Sequence, residues 1–140
     1  MLISDRPITA ALATLVVLQL IMLTALYAGV PPHPPAAIPL FGMAPFLGAA
    51  ISTAIAAMVT GPNTGRAGRG LSGFAALLAL VSFGPQKYFD AQIGLIWPAV
   101  VTGQLAAIVI LTQIGRAARR QIAAAANGFP ATESGAGKVA

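Results

Sequence analysis

Few side chains in this sequence could do chemistry, and the best placed are two amides. Gln19 and Gln104 each lie deep inside a long apolar stretch. An amide both donates and accepts hydrogen bonds, so in hydrocarbon it either ties one helix to another or lines a polar pocket. The hydroxyls available to meet them are Ser52, Thr53 and Thr102. These five residues are the expected intramembrane polar contacts, with interhelical bonding the simpler reading and a polar path the functional one.

A second group, His33, Lys87, Asp90 and Trp97, is expected at the outer face. His33 is the only histidine and sits among the prolines of 31–35, where a solvated loop imidazole is the plain reading and a proton acceptor the sharper one. Asp90 could receive a cation or proton. It more simply caps the helix that follows, its carboxylate taking a free N–H and suiting the helix dipole. One carboxylate makes no general acid/base pair, and an ion pathway normally carries an ionisable group deeper inside the bundle. Trp97 and Pro98 together read as an interfacial anchor and a kink.

The inventory also excludes chemistry. With no cysteine and one histidine, disulfides, thiolate catalysis, cysteine-ligated metals and bis-histidine haem are ruled out for a single chain. No cofactor, no metal centre and no enzymatic activity are therefore expected.

The elements that must hold these side chains are written in the distribution of charge. Hydrophobic residues make up 57% of the chain and charged residues 8%, against about a quarter charged in soluble domains. No Asp, Glu, Lys or Arg occurs over 7–65, 70–86 or 91–115. At about 1.5 Å per residue, a hydrocarbon core of about 30 Å needs roughly 20 residues per crossing. The sequence thus predicts an all-α membrane protein with spans at about 8–30, 38–60, 71–89 and 91–115, the last helix continuing into the cytoplasm to about Ala126. The remainder, 127–140, has too little apolar content to fold and is expected as a disordered cytoplasmic tail, after a stop at Asn127-Gly128.

Local signals agree. Asp5 and Pro7 suit a first turn, and the apolar run after them is too long for a signal peptide, with Leu26-Tyr27-Ala28 a poor cleavage site. The prolines of 31–35 break the chain, and Pro45 should bend the second helix. The glycine-rich stretch 61–70 reads as a polar basic loop; it lacks the Gly-Lys-Ser/Thr ending of a phosphate loop. The third span is strictly apolar only from Leu71 to Phe83, so reaching full length requires extension through Gly84-Pro85 to Phe89, with Lys87 snorkelling.

Orientation follows from the basic residues. Arg6, Arg66, Arg69, Arg116, Arg119 and Arg120 fall on one side and Lys87 on the other. The positive-inside rule then places both termini in the cytoplasm and joins the helices as two hairpins. An odd number of spans would scatter the arginines over both faces. A bacterial inner membrane is the expected location. The arginines of the second and fourth connections, Arg66, Arg69, Arg116, Arg119 and Arg120, should meet anionic lipid headgroups. Net charge is +5, but no basic cluster is interleaved with aromatics, so nucleic acid is not an expected partner.

Small residues recur at helical spacing. Gly48, Ser52 and Ala56 share one face, and Gly103 with Ala107 another, where small side chains allow close helix approach within the bundle or with a partner. A weak echo at an offset of 55 pairs Gly29 with Gly84 and Gly48 with Gly103, as two tandem hairpins would. With no strong acid, base, nucleophile or ligand cluster in the spans, the expected role is an accessory, assembly or structural subunit of a membrane complex. The alternative is a small oligomeric transporter or channel with a polar path between helices. Membrane lipids, a second copy or another membrane protein are the expected partners.

Overall fold

A computed structural model describes residues 5–30 and 40–127. His33, the start of the second span at Ile38 and the tail beyond Asn127 lie outside the described residues, so the expectations placed on them are not met or contradicted here. The described chain is helical: α1 is Arg6–Ala28, α2 is Leu40–Thr60, α3 is Gly65–Phe83 and α4 is Ile93–Asn127, with a short 3-10 helix, Pro85–Phe89, between the last two. Four helical stretches are long and apolar enough to cross a membrane.

The helices close into a ring. α1 and α3 each pack on both α2 and α4, and touch each other only slightly across the diagonal. Buried positions on every helix recur at intervals of three and four: Ile8, Ala11, Leu12, Leu15 and Gln19 on α1, and Ser72, Ala75, Ala76, Ala79, Ser82 and Phe83 on α3. Alanines from α2, α3 and α4 fill much of the core. In lipid no water is displaced when helices meet, so close backbone approach over small residues, with dispersion contacts, is what holds such a bundle.

Two element boundaries differ from expectation, for linked reasons. α3 was expected to begin at Leu71, after a loop over 61–70, yet it begins at Gly65. Only 61–64 turns: Gly61 has φ 87° and its carbonyl accepts the Thr64 N–H at 2.9 Å. The buried Ser72 hydroxyl then donates to the Pro62 carbonyl at 3.1 Å, fastening the turn to the helix. Gly68 lies directly on the Gly61 carbonyl, where a Cβ would collide. At the other end the α-helix stops at Phe83, because Gly84 is extended and Pro85 cannot donate, and the 3-10 helix carries the apolar stretch on to Phe89. The stretch long and apolar enough to cross therefore runs from Gly65 to Phe89, and the 19 residues of α3 alone span about 28 Å at 1.5 Å each. Arg66 and Arg69 consequently sit on the first turns of α3, not in a loop.

Other ends follow plain capping chemistry. α1 stops at Gly29, left-handed at φ 63°, with the Gly29 and Val30 N–H groups both returning to the Ala25 carbonyl. At its start Asp5 occupies the cap position but makes no side-chain capping bond; the Thr9 hydroxyl instead donates to the Asp5 carbonyl at 2.9 Å. Pro45 and Pro98 lie inside α2 and α4, each near the beginning of its helix.

Candidate functional site

The break at Gly84-Pro85 organises one polar cluster. Ending a helix leaves carbonyls without partners, and Pro85 has no N–H to offer Val81. Gln86 supplies it: its Nε2 donates to the Val81 carbonyl at 2.8 Å and the Leu80 carbonyl at 3.1 Å. The Phe83 carbonyl is taken by Gln104, whose Nε2 donates across from α4 at 3.0 Å. The Tyr88 hydroxyl donates to Gln104 Oε1 at 3.0 Å, completing the amide. Gln104 therefore clasps the end of α3 and the 3-10 helix to α4.

Beneath this clasp the two helices touch closely. Gly103 is buried, and a Cβ there would lie 2.8 Å from both Cβ and Cγ of Phe83. One helical turn on, Ala107 is wholly buried. Nearer the other end, Gly73 faces the Ile114 side chain. Phe83 against Gly103 and Gly73 against Ile114 is the register of helices running in opposite directions. The small face of α4 thus packs the bundle itself.

The matching face of α2 does not. Gly48 has open space where a Cβ would be, Ser52 is exposed and Ala56 is half-buried. α2 turns Leu47, Ala50, Ile51, Ala54 and Ala57 inward instead. Packing of this chain's own bundle by the Gly48, Ser52 and Ala56 face is accordingly corrected. Composition conceals the choice, because alanine and glycine line every side of α2 and no polar stripe marks an outside.

The five expected polar contacts do not come together. Gln19 is 1% exposed, and its Oε1 has no hydrogen-bond partner among the described residues. Ser52 and Thr102 face outward, and the Thr53 hydroxyl returns to its own helix, donating to the Ala49 carbonyl at 2.8 Å. Ser82, on α3, is a second buried side chain whose Oγ has no partner among the described residues. Sequence reading passed over Ser82 and Gln86, and read Tyr88 only as an aromatic at headgroup level; the signal that points to Gln86 and Tyr88 as donors is Gly84-Pro85, which guarantees free carbonyls needing them.

At the same end, Lys87 Nζ lies 3.4 Å from Asp90 Oδ2, and the Gln92 N–H donates to Asp90 Oδ1 at 3.0 Å. Asp90 thus caps the turn entering α4. The Gln92 backbone bond, aided by Lys87, holds its carboxyl below the ordinary 3.8, with partial desolvation opposing. Five exposed aromatics gather around this end, Tyr27, Phe41, Tyr88, Phe89 and Trp97, while Phe74 is exposed toward the other. Trp97 joins that collar and makes no side-chain hydrogen bond with Lys87 or Asp90. Arg66, Arg116, Arg119 and Arg120 are exposed and Arg69 half-buried; all five stand beyond Gly73 and Ile114, at the end opposite Tyr88, Phe89 and Trp97.

No family model, curated protein or solved structure matches this chain, so its own residues carry the functional reading.

Proposed function

We propose that this chain is a small integral membrane protein of a bacterial inner membrane, crossing it four times as two hairpins with both termini cytoplasmic, and that it serves as a non-catalytic accessory, assembly or structural subunit of a membrane complex. The placement is supported by the aromatic collar at one end and the arginines at the other, the distribution expected for an interfacial belt and a cytoplasmic rim.

One observation carries the subunit reading: α2 turns Gly48 and Ser52 outward instead of using them to pack its own bundle. Lipid gains nothing from a glycine and a hydroxyl at that depth. A partner helix gains close approach and a hydrogen bond. Native mass measurement after extraction in mild detergent tests this. A different chain should accompany the protein in constant stoichiometry and be lost from Gly48→Leu, whose helix content should match the wild type. A protein that travels alone, or whose companion is indifferent to Gly48→Leu and Ser52→Leu, contradicts it.

A small transporter is the second reading, favoured by Gln19, whose buried oxygen has no partner among the described residues and could take one from a polar solute. Reconstituted flux lost in Gln19→Leu supports it; unchanged flux in that variant rejects it.

A further inference from the structure

Between α1, α2 and α3, toward the aromatic end, lies a groove of about 300 Å³. Met22, Met43 and Phe46 form apolar walls, Gly42 leaves one side open, and Ser82 and Lys87 are the polar residues lining it. Ser82 is 7% exposed and its hydroxyl has no partner among the described residues. We propose that this groove binds a single-chain acyl lipid, with its ester carbonyl accepting from the Ser82 hydroxyl.

The chemistry selects the ligand step by step. Methionine and phenylalanine walls suit a flexible hydrocarbon chain, since the thioether side chains adapt to its shape. At about 30 Å³ per water-sized group the volume holds roughly ten such groups, one aliphatic chain and not two. Both polar groups can donate: the serine hydroxyl is unpartnered among the described residues, and the lysine ammonium keeps N–H groups beyond the one directed at Asp90. The head must therefore accept. Because Asp90 already balances Lys87, a neutral carbonyl fits better than a phosphate or a free carboxylate, which would face the Asp90 charge. This site stands apart from the outward face of α2 and does not depend on the subunit reading.

The methionines provide the readout. With methyl-labelled methionine in the full chain in detergent micelles, methyl dodecanoate should shift the Met22 and Met43 signals saturably. Met58, packed against the core farther along α2, should stay still. Dodecane, lacking an acceptor, and the Ser82→Ala variant should each weaken the response by a factor of about five or more, as loss of one hydrogen bond does. Gly42→Leu, entering open space, should fill the groove and abolish it. Equal response to dodecane, an unchanged response in Ser82→Ala, or shifts shared by Met58 would overturn the proposal.

Discussion

Gln104 and Gln19 are the same side chain in the same kind of helix, and the bundle treats them oppositely. On the α3–α4 side, Gln104 is saturated by Phe83 and Tyr88, and Gly103 is pressed against Phe83. On the α1–α2 side, Gln19 is buried with an oxygen unpartnered among the described residues, and Gly48 looks onto open space. The residue types match across the two halves, even at the faint repeat offset that pairs Gly48 with Gly103. What separates them is Gly84-Pro85, which frees backbone carbonyls that α4 must satisfy. Gly29, the repeat partner of Gly84, instead ends its helix in a left-handed turn that returns the Gly29 and Val30 N–H groups to the Ala25 carbonyl. One half is stitched by need; the other keeps its polar and small groups uncommitted.

The glycines offer the largest contrast. Gly103→Ala places a Cβ against the base of the Phe83 side chain, which cannot swing away, and should destabilise by about 1–3 kcal/mol. Gly48→Ala meets nothing and should be neutral or up to about 1 kcal/mol stabilising through helix propensity. Unfolding in mixed micelles, followed by helical circular dichroism, measures both. Equal costs at the two positions would erase the distinction between the halves.

The amides come next. Gln104→Leu strands a tyrosine hydroxyl and a helix-end carbonyl and should cost about 1–2 kcal/mol. Gln19→Leu removes an acceptor that has no partner and should lie within about 0.5 kcal/mol of the wild type or above it. Smaller again is Gln86→Ala, about 0.5–1 kcal/mol, since the two carbonyls it leaves are close to the interface and water can reach them.

The faintest effect is a pH dependence at the α4 entry. The folded Asp90 carboxyl is held below 3.8, so its contribution is fully present above that ordinary value. It fades as pH falls from there through the lower folded value. Asp90→Asn should remove this acid-side slope while leaving stability near neutral pH little changed. A slope that persists in the variant assigns it elsewhere.

Much of the architecture was legible in the sequence because uncharged runs of this length have few solutions: four apolar helices and a long last helix ending near Asn127. The left-handed stop at Gly29 and the end of α3 before Gly84-Pro85 came only with the structure. Facing was not legible. Hydrophobic periodicity reports an inside only when the outside is polar, and here lipid makes both sides apolar, so the Gly48 face was assigned to the core it turns away from. The loop over 61–70 was overextended because glycine was read as flexibility, when Gly68 serves close packing over the Gly61 carbonyl. Gln104 was expected to meet Gln19, Ser52, Thr53 or Thr102; its partners are a backbone carbonyl and a tyrosine that the helix break brings within reach.

The central claim is that all four helices cross a bilayer with the α2–α3 turn on the cytoplasmic side. Because the chain has no cysteine, single replacements report location without background. In intact cells, a membrane-impermeant maleimide should label Gln92→Cys and spare Thr64→Cys, and inside-out vesicles should reverse the pattern. Labelling of both positions from the same side would contradict the account.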